Sequence, residues 1–267
     1  MAEVLDPRLL LRGYAAGIFP MADARDAPDV FWVEPRERAI IPLDGFHCSK
    51  SLAKTIRRET YEVRLDTAFA EVVRACAGRE ETWINDTIER ATLGLHAAGH
   101  AHSIECWKDG ELVGGLYGVR LGGAFFGESM FSRATDASKV ALAHLVARMK
   151  AGGFSLLDCQ FMTDHLASLG AITVSRDDYL RLLSQALSSG ATGGAEGAAS
   201  GAGASGSTDA ASPSSPPERP SLGAVAMLED PERPSGGGGP SGKVIVQLLG
   251  QASNTGCSTT LSEGDSA

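Results

Sequence analysis

The chain lacks an excess of positive charge, a Cys-x-x-Cys pair, a long apolar run and an internal repeat. Each absence removes a class of protein. Of 24 Lys+Arg and 33 Asp+Glu, 3 and 8 lie beyond residue 187, so the part before that point holds 21 and 25, a net of −4. A broadly basic nucleic-acid coat is thereby excluded, although a local basic patch is not. The cysteines Cys48, Cys76, Cys106, Cys159 and Cys257 are odd in number and scattered, which suggests neither a disulfide framework nor a zinc site. No stretch approaches the roughly 20 apolar residues of a membrane span. The opening "MAEVLDPRLLLRGYAAGIFPMAD" has early acids and no signal-peptide core. The expectation is a soluble, cytoplasmic monomer with no membrane partner.

What is present divides unevenly. From about Ser188 the sequence becomes "SSGATGGAEGAASGAGASGSTDAASPSSPPERP", dominated by Gly, Ala, Ser and Pro. Such a composition cannot bury enough surface to offset its ordering entropy, so residues 188–267 read as a disordered tail. Within it only "KVIVQLLG", Lys243 to Gly250, is apolar enough to form a strand or a docking peptide. The remaining 187 residues can build a real core. They read as a small N-terminal α/β part over residues 1–60 and a larger sheet-centred part over 61–187, an α/β (α+β) arrangement.

Within that unit "DPRLLLRGYAAG" reads as a short helix ending at Gly17, and "FWVEPRERAIIPLD" as extended segments interrupted at Pro35 and Pro42. Helices are expected over about 49–58, 67–77 and 86–98, with the strand "YEVRLD" between the first two. In "HSIECWKDGELVGGLYGVRLGGAFFGES", Asp109-Gly110 and Gly122-Gly123 stand at turn positions between apolar runs, which predicts a meander of three antiparallel strands. Leu142, Leu145, Val146 and Met149 then repeat at helical spacing, with Asp136 as N-cap and Gly152-Gly153 as the stop. The strand "FSLLDCQF" follows, then a short helix at 164–169, a strand near 171–174 and a helix opened by the capping box Ser175…Asp178.

Three polar residues sit where burial is expected. In "GAFFGESMFS" the carboxylate Glu128 stands among aromatics and a methionine, where an unpaired charge is expensive. Strand alternation puts Phe126, Glu128 and Met130 on one face, and Asp158 with Gln160 on one face of the next strand. If the two strands neighbour each other, Glu128, Asp158 and Gln160 converge, either as a structural polar network or as a ligand pocket. A further cluster, Lys50, Lys54, Arg57 and Arg58, lies along one side of the predicted helix in "HCSKSLAKTIRR" and contains no acid. It reads either as a solvated face or as a phosphate-backbone contact. His96, His100 and His102 straddle a helix end and a strand, which would scatter them, so no metal is expected. Ser129 and Ser132 have no recognisable histidine base. "VGGLYG" lacks the Lys-Ser/Thr ending of a phosphate loop.

The motifs "TWIN" (82–85), "GHAHSIECW" (99–107), "LVGGLYGV" (112–119), "GESMFS" (127–132), "ASKVAL" (137–142), "DCQ" (158–160) and "HLASLGA" (165–171) occur in this order. Together with "GYAAGIFPM" and "FWVEPRERAIIPLDGFH", they resemble the leucyl/phenylalanyl-tRNA–protein transferases over residues 8–187. That resemblance implies an aminoacyltransferase that moves Leu or Phe, and less readily Met, from Leu-tRNA or Phe-tRNA to proteins or peptides with N-terminal Arg or Lys, marking them for degradation by the N-degron route. It implies a GNAT-like larger domain, with a mostly antiparallel mixed sheet flanked by helices, and no cofactor. By position it implies that Asp158 and Gln160 are the catalytic pair and that Glu128 is the carboxylate near the acceptor. Leu116, Phe125, Met130, Leu145, Leu157 and Cys159 then form the donor side-chain pocket, and Trp83 stacks on the terminal adenosine. Thr92 and Thr163 stand where the family often carries Tyr and Asn. A GNAT-type transferase using acyl-CoA would share the fold, but no Gln/Arg-x-x-Gly-x-Gly/Ala loop is present. A non-catalytic tRNA-binding module would bind Leu-tRNA without transferring leucine.

Overall fold

Asp6 caps the first helix, α1 (Pro7–Ala15), by accepting the Arg8 N–H at 2.8 Å, and Pro7 occupies the first turn, where its missing N–H costs nothing. The computed structural model describes residues 5–189, 220–223 and 240–250. After α1 the chain turns at Gly17 (φ 82°) into β1 (Phe19–Met21), which pairs antiparallel with β2 (Phe31–Val33) as a small separate sheet. The next strand, β3 (Glu37–Ile41), leaves that unit and enters the main sheet. The range 1–60 therefore contains both the two-stranded unit and a strand of the larger sheet.

The main sheet is completed by β4 (Glu62–Leu65), β5 (Ala101–Lys108), β6 (Glu111–Leu121), β7 (Ala124–Ser132), β8 (Leu156–Gln160) and β9 (Ile172–Ser175), in the order β4-β5-β6-β7-β8-β3-β9. All neighbours are antiparallel except β7 and β8, which the helix α5 (Ala137–Ala151) connects. The expected meander is β5–β7, with its turns at Asp109-Gly110 and Gly122-Gly123. The mixed α/β class holds.

Helices cover both faces. On one side lie α1, α3 (Phe69–Ala77), α4 (Asp86–Ala97) and α7 (Arg176–Ser189), around a core that includes Tyr14, Phe69, Ile88, Tyr117, Phe126 and Tyr179. On the other lie α2 (Lys50–Arg57), α5, α6 (Asp164–Ser168) and α8 (Gly242–Gly250), around Leu52, Ile104, Leu116, Phe125, Leu145 and Ile245. Helix α5 is buried nearly all round because the sheet covers one side of it and α2 and α8 cover the other.

Two expectations change on folding. Asp136 does precede α5, but its backbone is left-handed (φ 61°) and its side chain makes no capping bond; it pairs instead with Lys139 at 2.9 Å. The segment "KVIVQLLG" is not a strand and not part of a disordered tail; it docks on the core, the other reading open to it, and does so as a helix. Its Ile245 and Leu249, four residues apart, are buried against α2 and α5, and Gly242 permits the approach, since a Cβ there would lie 2.1 Å from the Ile56 carbonyl. A second anchor is Leu222, buried in the same core while its carbonyl accepts from Arg148. The rest of the expected disordered segment, residues 190–219, 224–239 and 251–267, lies outside the described residues.

Candidate active site

Strands β7 and β8 pair from Ala124↔Leu156 to Phe126↔Asp158 and then part. A cavity of about 490 Å³ opens in the gap and reaches through the sheet. Towards α5 and α6 its wall is mostly apolar: Leu116, Met130, Leu142, Leu145, Leu157 and Leu166, with Cys159, Thr163 and His165, whose Nε2 has no partner. Towards the N-terminal unit the wall is Phe19, Met21, Trp83 and Arg79, with Phe161 beside Phe19 at the rim. Glu128 and Gln160 both line the cavity, each two positions beyond the last β7–β8 pair, Phe126↔Asp158.

Glu128 gets there through a β-bulge. Tyr117 opposes Ser129 and Gly118 opposes Gly127, so Glu128 is the extra residue of β7. Gly118 is needed opposite the bulge, because a Cβ there would sit 2.3 Å from the Phe126 carbonyl oxygen and 2.4 Å from the Phe125 ring. The bulge overturns the alternation expected for this strand: Phe126 packs into the α1/α7 core and Met130 against the α5 core, so the two do not share a face. Tyr14 lies beside the Glu128 carboxyl and favours its ionised form, whereas Oε1 is sealed from solvent without a hydrogen-bond partner. Burial is the largest influence on it and Asp158 adds repulsion, which outweigh the nearby Tyr14 hydroxyl and the Arg38 charge; the carboxyl is pushed up to about 8. The Tyr117 hydroxyl is buried nearby, also without a partner.

Asp158 has the opposite surroundings. It is wholly buried beneath the cavity and is not among its lining residues. Its Oδ1 accepts Arg38 Nε–H and the Gln160 backbone N–H, each at 2.9 Å, and its Oδ2 accepts Arg38 Nη2–H at 2.6 Å and the Tyr179 hydroxyl at 2.9 Å. A second bulge lies here, between Ala39↔Gln160 and Ile40↔Asp158. Gln160 takes a left-handed backbone (φ 58°), a conformation that costs a residue with a Cβ of order 1–3 kcal/mol. Its side-chain Nε2 has no partner and lines the cavity.

Of the residues named from sequence, Glu128, Gln160, Trp83, Leu116, Met130, Leu145, Leu157 and Cys159 line the cavity. Phe125 does not: it is fully buried in the core behind the wall. Lys50, Lys54, Arg57 and Arg58 lie exposed along α2, away from the cavity wall, while Leu52, Ala53 and Ile56 bury its other face. Thr163 lines the cavity rim and caps α6 through Leu166 N–H; Thr92 is buried in α4. His96 stacks on Phe69 and bonds the Ala101 carbonyl, and His102 meets Asp66. Among the described residues no group of acids, histidines and cysteines could hold a metal ion, and no helix is long and apolar enough to cross a membrane. Sequence reasoning passed over Tyr14, Arg38 and Tyr179 around the two carboxyls, and Phe19, Met21, Arg79, Tyr117, Leu142, Phe161, His165 and Leu166 on the cavity wall. The one visible signal among them is Arg38, a cation at the edge of the apolar run "AII".

The chain as a whole is similar to known proteins of one family. Residues 40–184 match the family model described as leucyl/phenylalanyl-tRNA protein transferase, and residues 3–36 match that family's N-terminal domain. A leucyl/phenylalanyl-tRNA–protein transferase of Rhizorhabdus wittichii is 60% identical over 255 residues, covering 94% of this chain and all of that one. The protein of the same name from Cereibacter sphaeroides is 63% identical over 187 residues, 70% of this chain and 87% of its own length. That from Zymomonas mobilis is 59% identical over 193 residues, 71% and 72% of the two chains.

Proposed function

The chain belongs to the leucyl/phenylalanyl-tRNA–protein transferase family and is an aminoacyltransferase; from that premise we propose that it moves Leu or Phe, and less readily Met, from aminoacyl-tRNA to the N-terminal Arg or Lys of an acceptor protein. The product would enter degradation by the N-degron route in the cytoplasm. The observation that carries this is one cavity with two kinds of wall: a largely apolar half against α5, and a gap lined by Glu128, whose Oε1 lacks a partner, and by Gln160, whose Nε2 lacks one.

An aminoacyl ester is already activated, so the site's task is positioning and proton transfer. The donor side chain enters the apolar half, where Leu116, Met130, Leu145 and Leu157 reward an apolar group and penalise a polar one. Trp83, on the other wall, offers a face on which the terminal adenosine stacks. The acceptor's α-amine, with a reference pKa of about 7.7–8.0, is partly unprotonated near neutrality. Gln160's amide oxygen accepts a hydrogen bond from that amine as its nitrogen attacks the ester carbon. The new C–N bond forms, the C–O bond to the ribose breaks, and the amine's proton leaves while the ribose oxygen gains one. Glu128 receives the cationic side chain of the acceptor's Arg or Lys, which lowers the cost of ionising a sealed carboxyl. The exposed cations of α2 meet the tRNA backbone.

Incubating the full chain with labelled Leu-tRNA and peptides that begin with Arg, Lys or Ala tests this. Label is expected on the Arg and Lys peptides and not on the Ala peptide. Equal labelling of all three would overturn the acceptor assignment, and labelling from leucyl-CoA without tRNA would overturn the donor assignment.

A further inference from the structure

Arg38 does not touch the cavity, yet every polar atom of its guanidinium bonds a group one or two residues away from one that does. Nε and Nη2 grip Asp158, while Nη1 donates to the Gly17 carbonyl at 2.9 Å. The rings of Phe19 and Tyr179 lie over the guanidinium at 4.6 and 4.5 Å, one on the cavity's N-terminal wall and the other on α7. The residue is 1% exposed and comes from β3, 120 positions before the carboxylate it holds.

We propose that Arg38 is a positioning residue for aminoacyl transfer: it holds Asp158, and through Asp158 the left-handed backbone of Gln160, so that the Gln160 amide faces the reacting groups. This rests on Gln160 being the group that meets the amine. An ionised carboxylate offers about four acceptor positions, and the four bonds to Arg38, Tyr179 and Gln160 N–H occupy them. Asp158 therefore has no lone pair left for the Gln160 side chain or for a proton from substrate. Its one link to the cavity is the backbone N–H of Gln160, at the position whose φ of 58° an L residue rarely holds unaided. Arg38 is what aims that carboxylate in a dry interior, and a bidentate fork does so at fixed angle in a way that a lysine ammonium cannot. The bond to Gly17, two residues before Phe19, ties the opposite cavity wall to the same cation.

The test is a double-mutant cycle on turnover of Leu-tRNA with an Arg-initiated peptide, with rates expressed per folded molecule. Gln160→Ala is expected to lower kcat about 100-fold and Arg38→Lys at least tenfold, with KM for aminoacyl-tRNA within about threefold of the parent. The double variant should be no more than about two- to threefold slower than Gln160→Ala alone, because Arg38 acts only through the group already removed. Losses that multiply would overturn the proposal, as would parental kcat in Arg38→Lys. Parental kcat in Gln160→Ala would overturn this proposal together with the role given to Gln160, whereas a slow Gln160→Ala beside an unaffected Arg38→Lys removes Arg38 alone. Should Arg38→Lys fail to fold, Tyr179→Phe, which deletes a single hydroxyl from Asp158, carries the same cycle: a three- to tenfold loss in the Gln160 background-free enzyme that disappears beside Gln160→Ala supports the proposal, and a loss that persists overturns it.

Discussion

Two carboxyl groups stand on neighbouring strands at the edge of one cavity, and their surroundings differ in almost every respect. Asp158 lies under the floor with a cation and two further donors on its oxygens. Glu128 lies in the wall beside Tyr14, with a sealed, unpartnered Oε1. Both sit beside β-bulges. A carboxylate whose acceptor positions are filled within the fold contributes to architecture; one left short of partners keeps its proton to about pH 8 and has interaction capacity to spend on a ligand. Burial alone therefore separates neither role, and the partner inventory separates both.

The largest effect is expected from breaking the satisfied group. Asp158→Asn leaves the Arg38 guanidinium buried without its counter-charge, and removing one partner of such a pair costs about 3–5 kcal/mol. Urea unfolding should show that loss, with transfer falling further than the folded fraction does. A variant as stable as the parent would erase the contrast between the two carboxyls.

Glu128→Gln should do the reverse. Transfer to Arg- and Lys-initiated peptides is expected to fall about 100-fold, the usual size for a charged contact made to substrate, while the protein stays at least as stable. The pH dependence follows from the raised carboxyl. The unfolded chain releases this proton near 4.5 and the folded chain near 8, so the parent's stability from this group is intact below 4.5, declines as pH rises and is lost once pH passes 8. The Gln variant lacks that decline, so its advantage in melting temperature should grow from pH 4.5 to 8 and level off. A variant that melts lower at pH 7 with normal transfer per folded molecule would make Glu128 a second Asp158.

Arg148 extends the comparison to a buried cation. It is almost wholly buried on α5, burial lowers its pKa, and one of its partners is the carbonyl of Leu222 from the distal segment. Ending the chain at residue 187 removes that bond together with the burial of Leu222, Ile245 and Leu249, but it also opens Arg148 to water and releases the nine residues of α8 from order. Apolar gains of about 1.5–3 kcal/mol per side chain are largely offset by about 1–2 kcal/mol per ordered residue, so a drop of a few degrees in Tm is expected with activity retained. A drop beyond about 10 °C would place α8 among the elements on which the fold depends.

The smallest effect belongs to charges that are fully solvated. Neutralising Lys54 and Arg58 on α2 should leave stability unchanged, weaken every aminoacyl-tRNA alike and reduce the salt slope of binding by about two. An unchanged slope would return α2 to an ordinary wet helix face.

Much of this molecule was legible from local pattern. The meander β5–β7, the helices α1 to α7 and the Ser175…Asp178 box follow from spacing and turn chemistry that involve neighbours a few residues apart. The polar trio Glu128, Asp158 and Gln160 stood out because charge and amide interrupt apolar strands, whatever the fold around them. Tertiary structure decided the rest. One extra residue at Glu128 reverses which way the remainder of β7 faces, and nothing in "GESMFS" announces a bulge, since it is set by the register against β6. Phe125 and Met130 look alike as pocket candidates, yet only the second faces the opening left where β7 and β8 part. The division of labour between Asp158 and Glu128 depends on an arginine 120 positions upstream, two tyrosines from opposite ends of the folded unit and the path of β3 into the sheet. Periodicity reports which side chains prefer to leave water; which partners they meet once inside is fixed by long-range register, and no local preference carries that information.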